Sequence, residues 1–373
     1  MKKKAKIGIG ILGAGFIGHV HTKAISVLPD TSVRAICDKN EEKAVQTAKE
    51  LGIPRAYADY DRMLADPTVD VVVLGVPNFQ HADSALKAFK AGKHVICEKP
   101  LAINLEEAAQ MVKASRHLNL VLGYAEELVF APKFHSAVDM SRQGIGRVYH
   151  SRQVEKHDGP YSPWFFKPET AGGGCLMDMG CHSMEMLRYA SGKQRVEWVQ
   201  AYMGTVLHAD KTKMEDHVIV MMGFEDGSVG QAESSWALKG GMDSILEIYG
   251  TEGVVYADLL KGMGLKAYSE KGFKDMWEPN KGWTYPSFEW DWQNGYPQED
   301  RHFLNCIRTG SRPIESGEDG FRIMELIYAA YHSAATGRRV YLPFRPANIP
   351  YAVDLWLNPR PKLGDGRIEE VNI

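Results

Sequence analysis

Three groups of residues have types and spacings that could perform chemistry, and they occur in this order: Gly13, Gly15 and Gly18; Lys99 within Glu98-Lys99-Pro100; and Asp178 with His182 after the glycines at 172–174. The first group could hold a phosphate, because backbone N–H groups at the start of a helix bind anions. The other two groups offer lysine, aspartate and histidine side chains, which can stabilise negative charge or transfer protons.

The glycine motif has the spacing of a dinucleotide-binding turn. It follows a predicted strand at Ile7–Leu12 and opens a predicted helix at 17–28, which is the context that this motif requires. The first glycine permits a tight turn, the second lets a pyrophosphate approach the backbone, and the third allows close helix packing. We therefore expect the turn to bind a dinucleotide through Gly13, Gly15, Phe16, Ile17 and Gly18. The plain alternative is a glycine-rich turn without a ligand.

Asp38 ends the next predicted strand, twenty residues after Gly18. A carboxylate there accepts hydrogen bonds from ribose hydroxyls and repels a 2′-phosphate, so NAD is favoured over NADP. Lys39 is adjacent and could weaken that preference. If no ligand binds, Asp38 is a solvated residue of a turn.

Two further loops follow predicted parallel strands, and such loops line the ligand crevice of a doubly wound sheet. The first contains Pro77 and Asn78, with His81 three residues later. The second contains Glu98 and Lys99. We expect these residues to border the cofactor. The alternatives are a helix cap at Asn78 and an ordinary helix residue at His81.

Lys99 can stabilise a developing alkoxide, and Pro100 restricts the backbone beside it. Asp178 and His182 are four residues apart in a predicted helix, so their side chains would share one face. A histidine beside a carboxylate is a suitable general base near neutral pH. The alternatives are a surface lysine, an aspartate that interacts with the helix dipole and a semi-buried histidine. A metal site formed by Asp178, His182, His157 and Cys181 is disfavoured, because strict ligand spacing is absent.

Alternating strand-like and helix-like segments over residues 6–125 predict an α/β Rossmann domain with a doubly wound parallel sheet. Predicted strands lie at 7–12, 33–37, 69–76, 94–97 and 120–123, and predicted helices at 17–28, 41–51, 80–91 and 104–117. After residue 128 the pattern predicts an α+β domain with a large, mostly antiparallel sheet. Its predicted strands lie at 145–157, 196–207, 215–225, 228–237 and 243–250, with helices at 176–190 and 318–336. The predicted division is 1–127, 128–345 and an extended tail at 346–373.

Composition narrows the possible partners. The net charge of −3 over 373 residues gives no basic excess for nucleic acid. Five cysteines without CxxC spacing indicate a reducing compartment and argue against a disulfide framework. Lys2, Lys3 and Lys4 precede an apolar segment, but that segment contains the glycine motif, so it predicts a buried strand and not a signal peptide. Without a membrane-spanning segment, the expected location is the cytoplasm.

The four motifs together resemble the Gfo/Idh/MocA oxidoreductases. They are GAGFIG at 13–18, GVPNFQH at 75–81, EKP at 98–100 and GGGCLMDMGCH at 172–182. The resemblance covers about residues 6–345 and implies a Rossmann domain, a sheet domain, a homo-oligomer and oxidation of a secondary hydroxyl of a sugar or cyclitol.

The resemblance also implies roles for individual residues. Lys99, Asp178 and His182 match the catalytic lysine, aspartate and histidine of the family, and the Lys99-Pro100 bond matches a bond that is often cis. His157 matches a histidine that often contacts substrate. One loop departs from the family pattern, because Tyr124 is followed by Glu126 and Glu127 where many members carry an Asn/Gln-Arg pair. That departure disfavours an anionic substrate.

These assignments predict a mechanism in which His182 removes the proton, Lys99 stabilises the alkoxide and Asp178 supports the histidine. We expect a neutral polyol or glycoside bound by Tyr124, His157, Trp164 and His182, with a glycoside oxidised at C3 ranked above free inositol. Seven aromatic residues at 277–296 predict either a core or interface patch or a platform for sugar rings. Two other classes stay open: a redox-neutral enzyme that retains its NAD, and a non-catalytic NAD-binding regulator.

Overall fold

The computed structural model describes residues 6–261, 265–273, 282–284 and 293–359, with the backbone alone described at 282–284. The chain divides into two compact units. Among the described residues, the first comprises those up to Glu126 together with Tyr296–Phe321, and the second comprises those from Glu127 to Gly295 and from Arg322 to 359. No helix in these described ranges combines the length and apolar character needed to cross a membrane.

The first unit contains a six-stranded parallel sheet. Its elements are β1 (Ile7–Leu12), α1 (Phe16–Ser26), β2 (Thr31–Cys37), α2 (Glu41–Leu51), β3 (Arg55–Tyr57), α3 (Tyr60–Leu64), β4 (Val71–Leu74), α4 (His81–Lys90), β5 (His94–Glu98), α5 (Leu105–His117) and β6 (Leu122–Ala125). The strand order is β3-β2-β1-β4-β5-β6, so the order reverses between β1 and β4. In such sheets ligands bind at the carboxyl ends of the strands beside that reversal. The predicted doubly wound sheet is confirmed.

Local sequence explains where these elements form. All four residues of β4 are buried apolar residues, as expected for a strand covered on both faces. Asn40 and Asn104 cap α2 and α5, because their side chains accept the N–H groups of Lys43 and Glu107. The sequence reasoning missed β3 and α3, which are only three and five residues long.

The second unit contains a nine-stranded, mostly antiparallel sheet. Its first elements are α6 (Pro132–Gly144), β7 (Val148–Lys156), α7 (Pro168–Ala171), a π-helical turn (Leu176–Gly180) and α8 (Cys181–Ala190). Then follow β8 (Val196–Gly204), β9 (His217–Phe224), β10 (Val229–Ser235), β11 (Asp243–Gly250), β12 (Gly253–Asp258), β13 (Leu265–Ser269) and β14 (Gly282–Thr284). The strand order is β14-β13-β12-β11-β7-β10-β9-β8-β15, with the β7–β10 pair parallel. The predicted α+β architecture is confirmed.

The last elements correct the predicted division of the chain. They are α9 (Tyr296–Thr309), α10 (Gly317–Thr336), β15 (Val340–Tyr341) and α11 (Asp354–Leu357). The prediction placed all of 128–345 in the second domain, but Tyr296–Phe321 belongs to the first unit. The predicted extended tail is also wrong where it is described, because it forms α11 and Val353 N–H bonds to the Gly172 carbonyl. Residues 360–373 lie outside the described part.

Candidate active site

The glycine turn of the first unit is built for close approach. Gly13 has a φ of +103°, and a Cβ there would lie 2.3 Å from the Gly75 carbonyl oxygen. A Cβ on Gly18 would lie 2.1 Å from the Gly13 carbonyl oxygen, so α1 can begin only if this residue is glycine. Gly15 differs, because a Cβ there would meet nothing within 4 Å. Its open side is where the pyrophosphate of a dinucleotide could approach.

Asp38 connects the end of β2 to this turn. Its Oδ2 atom accepts a hydrogen bond from the Ala14 N–H at 3.0 Å, and its Oδ1 atom accepts one from Asn40 N–H. Lys43 Nζ lies 3.9 Å from the same carboxylate. Asp38 is therefore fixed beside the turn, and its contact with a ribose stays a prediction. Lys39 is exposed.

A groove of about 460 Å³ borders the start of α1. Gly15, Phe16 and His19 line one part of it, and Lys43 lines another. The Phe16 side chain is 84% exposed. Ile17, predicted beside it, instead packs towards Gly75, with its Cγ2 atom 2.9 Å from where a Gly75 Cβ would be.

The loop after β4 contains Pro77 and buried Asn78, at the start of a 3₁₀ turn (Asn78–Gln80). His81 is fully buried, and its ring nitrogens lie 2.8 Å from the Val76 carbonyl oxygen and 2.9 Å from that of Pro100. Burial lowers the pKa of His81, so the ring is neutral at pH 7 and donates to one carbonyl at a time. Both ring nitrogens of His81 thus face backbone carbonyl groups of the protein. His81 therefore supports the loops after β4 and β5 in place of the predicted contact with the cofactor.

Lys99 follows β5 directly, and its bond to Pro100 is cis, as the resemblance implied. Its backbone N–H donates to Glu98 Oε2 at 3.2 Å. The other Glu98 oxygen lies 2.9 Å from His21 Nε2, and His21 Nδ1 lies 3.1 Å from Asp300 of α9. Glu98 is buried in this network, where it supports the backbone beside Lys99, and its contact with the cofactor stays a prediction.

Tyr124 corrects a second prediction. Its side chain is fully buried in the first unit, and its backbone N–H donates to the Glu315 carbonyl oxygen at 3.1 Å. A Cβ on Gly320 would lie 2.9 Å from the Tyr124 ring. A residue packed in this way is part of the core and offers no surface to a substrate.

In the second unit, the three glycines at 172–174 are required by packing. Gly172 has a φ of +82° and ends α7. A Cβ on Gly173 would lie 2.2 Å from the Tyr331 hydroxyl oxygen, and one on Gly174 would lie 2.0 Å from the Glu215 carbonyl oxygen. At 173 and 174 the lack of a side chain makes room for the protein's own buried residues.

Glu215 and Tyr331 hold the start of the segment that carries the proposed base. Glu215 Oε1 accepts hydrogen bonds from Leu176 N–H at 3.0 Å and from the Tyr331 hydroxyl at 2.8 Å. Burial raises the pKa of Glu215 to about 7, although these hydrogen bonds oppose the rise. The segment begins as a π-helical turn and not as the predicted α-helix, and π-helical turns occur often at functional sites.

Asp178 lies in the π-helical turn and is buried. Its Oδ2 atom accepts a hydrogen bond from Trp236 Nε1 at 2.9 Å and lies 3.5 Å from His157 Nε2. Gly159 N–H donates to His157 Nδ1 at 3.0 Å. A neutral His157 therefore carries its proton on Nε2, facing Asp178. The structure thus brings His157 to Asp178, as the sequence reasoning placed them in one site.

His182 is the second residue of α8 and is 4% exposed. Its Nδ1 atom lies 3.7 Å from Glu127 Oε2. The sequence reasoning identified Glu127 only as a departure from the family pattern. Its position beside the proposed base could not be inferred from a spacing of 55 residues along the chain.

Trp164 lies in a 3₁₀ turn (Pro163–Phe166), half-buried and stacked on Phe165 with ring centroids 3.7 Å apart. Phe165 and Phe166 both make edge contacts with the Trp236 ring. The aromatic turn is therefore joined to Asp178 through Trp236, which supports its prediction as a wall of the substrate site.

The predicted aromatic segment at 277–296 lies largely outside the described residues. The structure does not describe the aromatic residues Trp277, Tyr285, Phe288, Trp290 and Trp292. Of Trp283 it describes only the backbone. Tyr296 begins α9 and packs edge-on against His21, with ring centroids 5.5 Å apart. Tyr296 therefore belongs to the first unit.

Comparison with known proteins decides the family. A model described as an oxidoreductase family with an NAD-binding Rossmann fold matches residues 7–126, and one described as a GFO/IDH/MocA C-terminal domain matches residues 138–256. The chain belongs to the Gfo/Idh/MocA oxidoreductase family. The predictions of this family and of an NAD-binding Rossmann domain are confirmed.

Several members of the Gfo/Idh/MocA family are similar over nearly their whole length. The solved structure of GenD2 from gentamicin A biosynthesis, in complex with NAD, is 34% identical, with a TM-score of 0.81 and coverage of 92% of this chain and 98% of GenD2. Myo-inositol 2-dehydrogenase of Thermotoga maritima is 29% identical, over 90% of this chain and 98% of the relative. D-glucoside 3-dehydrogenase of Escherichia coli is 28% identical, over 90% and 97%. These relatives agree with the prediction of a dehydrogenase that acts on CH–OH groups.

The sequence reasoning missed several residues that shape the site: His21, Glu127, Glu215, Trp236, Asp300 and Tyr331. A partial signal existed for His21, because it lies on the inward face of α1 with Gly18 and Thr22, and a buried histidine needs a polar partner. For Trp236 the only signal was an isolated tryptophan at the end of a predicted strand. Neither signal identifies the partner.

Proposed function

We propose that this protein oxidises a secondary ring hydroxyl of a sugar, a glycoside or a cyclitol, using NAD. The observation that carries the proposal is the pair of largely buried carboxylate–histidine contacts in the second unit: Asp178 with His157 and Glu127 with His182. A histidine beside a carboxylate accepts a proton readily near neutral pH, and oxidation of a hydroxyl requires a proton acceptor.

In this proposal His182 takes the proton from the substrate hydroxyl, and Lys99 stabilises the alkoxide that forms. Asp178, held by Trp236, supports the histidines electrostatically. NAD, when bound, supplies the acceptor for the hydride that leaves the carbinol carbon. The cis Lys99-Pro100 bond and the Lys99 N–H bond to Glu98 set the backbone from which the lysine side chain extends.

The glycine turn supports binding of the dinucleotide by Gly13, Gly15, Phe16 and Gly18, with Asp38 beside it. Because the Asp38 carboxylate is fixed at the end of β2, it would repel a 2′-phosphate, so we propose NAD as the preferred cofactor. Pro77 and Asn78 are proposed to border the bound cofactor.

For the substrate we propose a neutral polyol, with a glycoside oxidised at C3 ranked above free inositol. His157 and Trp164 are the proposed binding residues, since one contacts Asp178 and the other lies in the aromatic turn against Trp236. The similarity to D-glucoside 3-dehydrogenase and to myo-inositol 2-dehydrogenase supports both candidates.

Two broader predictions remain proposals. The protein is proposed to form a homo-oligomer through the sheet of the second unit, where Tyr202 and Tyr341 are 66% and 65% exposed. It is proposed to act in the cytoplasm, and its five cysteines, all in the described residues, are free buried thiols.

The first test is to incubate purified protein with NAD or NADP and a panel of inositols, free sugars and glucosides, with absorbance followed at 340 nm. We expect a rise with NAD for one group of neutral substrates. Absence of any rise, despite measured NAD binding, would contradict net oxidation. Product analysis would then separate a redox-neutral enzyme that retains NAD from a regulator that changes no substrate.

The second test concerns the assigned groups. Lys99→Ala and His182→Ala are each expected to lower turnover by about 10²–10⁴-fold, the usual contribution of acid–base assistance, while NAD still binds. Calorimetric titration with NAD is the matched control for both variants. Normal turnover in either variant with NAD bound would show that the assignment is wrong.

A further inference from the structure

We propose that Glu127 is the positioning residue for His182: its carboxylate holds the imidazole proton at Nδ1, so that Nε2 is the nitrogen that accepts the substrate proton. The inference rests on the proposed function, because it assigns a partner to the proposed base. It starts from one distance, the 3.7 Å between Glu127 Oε2 and His182 Nδ1.

Both side chains are shielded from water, with exposed fractions of 12% for Glu127 and 5% for His182. In such a site a carboxylate interacts with an imidazolium more strongly than it would at the surface. The separation is that of an ion pair and exceeds a hydrogen bond, but contacts of catalytic groups often shorten when substrate binds. Glu127 would therefore stabilise the positive ring that forms when His182 accepts the proton.

The assignment differs from the expected one, in which Asp178 supports His182. The Asp178 carboxylate accepts the Trp236 indole N–H at 2.9 Å and faces the proton on His157 Nε2. The second unit thus contains two carboxylate–histidine pairs, Asp178 with His157 and Glu127 with His182. Two pairs allow one histidine to hold the substrate while the other moves the proton.

Other charged groups on α8 and on the strands packed against it have close partners. Arg152 and Lys156 of β7 both pair with Glu233 of β10; Glu155 of β7 accepts hydrogen bonds from Gln153 and Ser244; and Glu185 of α8 pairs with Arg188 and Lys193. Arg152, Lys156 and Glu185 thus have opposite charges beside them, and Glu155 has two neutral hydrogen-bond donors. Glu127 is the carboxylate of the second unit whose ion-pair distance to His182 carries the inference.

The test measures His182 directly, in the NAD-free protein, by NMR of ¹³C-labelled histidine as the pH is varied. The His182 signal is identified by its loss in His182→Asn. In Glu127→Gln we expect the titration midpoint of His182 to move to lower pH by about one unit, the usual effect of losing an opposite charge nearby. Glu127→Asp should restore most of the shift. An unchanged midpoint in Glu127→Gln would overturn the proposal.

Asp139→Asn provides the matched control. Asp139 Oδ2 lies 3.6 Å from His135 Nε2, a similar carboxylate–histidine distance, but both side chains are more than 40% exposed. This variant removes a surface carboxylate of the same unit and should leave the His182 titration and the turnover unchanged.

A second readout uses a substrate found by the panel. The acidic limb of the kcat/KM profile should move to lower pH in Glu127→Gln by the same amount as the NMR midpoint. If both stay fixed while KM rises for amino sugars alone, Glu127 is a substrate contact and the proposal is wrong. If the wild type oxidises nothing in the panel, the NMR result still decides the pairing, so the two proposals fail separately.

Discussion

His21 in the first unit and His182 in the second contact the same kind of partner but have different environments. Both ring nitrogens of His21 lie within hydrogen-bond distance of carboxylates, 2.9 Å from Glu98 and 3.1 Å from Asp300. His182 has Glu127 beside one nitrogen, at 3.7 Å. Carboxylates thus hold the His21 ring at hydrogen-bond distance on both sides, whereas Glu127 lies at the longer distance of an ion pair from the His182 ring.

The protonation of His21 supports this contrast. Burial alone would lower the pKa of His21, but the charges and hydrogen bonds of Asp300 and Glu98 raise it well above the ordinary value. A permanently charged ring cannot serve as a general base. It can instead connect Glu98, at the end of β5, to Asp300 of α9, which follows it by about two hundred residues. His21 therefore has a structural role, and His182 is suited to a chemical one.

Matched substitutions of these two histidines should give opposite results. His21→Asn leaves two buried carboxylates without their cation, and we expect a loss of about 3–5 kcal/mol in the free energy of unfolding. His182→Asn should change stability little but lower turnover by about 10²–10⁴-fold. Denaturant unfolding and kcat measure the two effects.

A control separates lost charge from lost packing. Combining His21→Leu with Glu98→Gln and Asp300→Asn removes all three charges and should recover part of the stability lost in His21→Asn. We propose a structural role for His21 and a chemical role for His182. This contrast would be contradicted if His21→Asn kept the stability of the wild type, or if His182→Asn lost much stability but kept its turnover.

Local patterns predicted the elements of the first unit well. β1 and α2 have their predicted bounds, because an apolar run and an asparagine cap are both encoded within a few residues. The return of α9 to the first unit was not predictable from such patterns. It depends on the contact between His21 and Asp300, which are 279 residues apart in the sequence.

The site was predictable in its residue types and less so in its partners. Motif order identified Lys99, Asp178 and His182, but Asp178 bonds to Trp236, 58 residues later, and no periodicity reveals that contact. The glycines at 173 and 174 illustrate the same point. The sequence shows that they are present, but glycine is needed there because Tyr331 and Glu215 fill the adjacent space, and only folding brings these residues together.

Glu215→Gln tests a buried carboxylate that, within the described part of the chain, accepts its side-chain contacts from the neutral Leu176 N–H and Tyr331 hydroxyl, in contrast to Glu98 and Asp300 beside His21. Folding raises the pKa of Glu215 from 4.5 to about 7. Between these two pH values the Glu215 carboxyl keeps its proton in the folded protein but loses it in the unfolded chain. The contribution of Glu215 to the free energy of unfolding is therefore greatest below about pH 4.5. It falls by about 3 kcal/mol in total as the pH rises to about 7. The variant should lack this slope.

The measurement is the Tm of both proteins from pH 5 to pH 8. We expect the wild type to lose stability relative to Glu215→Gln across this range and the difference to level off above pH 7. Tyr331→Phe removes one hydrogen-bond donor and should keep the slope. Parallel curves for the wild type and Glu215→Gln would show that Glu215 is ionised throughout this range.

Trp236→Phe has the smallest expected effect, because it removes a single neutral hydrogen-bond donor to the proposed catalytic carboxylate of Asp178. Phenylalanine retains an aromatic ring against Phe165 and Phe166 but lacks the N–H that donates to Asp178 at 2.9 Å. A hydrogen bond to a charged group contributes about 1.5–3 kcal/mol, so kcat/KM should fall by about tenfold or more. Trp198→Phe on β8, where Arg339 covers the indole ring, is the matched control and should leave kcat/KM unchanged. If Trp236→Phe keeps full activity, His157 alone suffices to hold Asp178, and the second unit relies on a carboxylate–histidine contact for rigidity just as the first does.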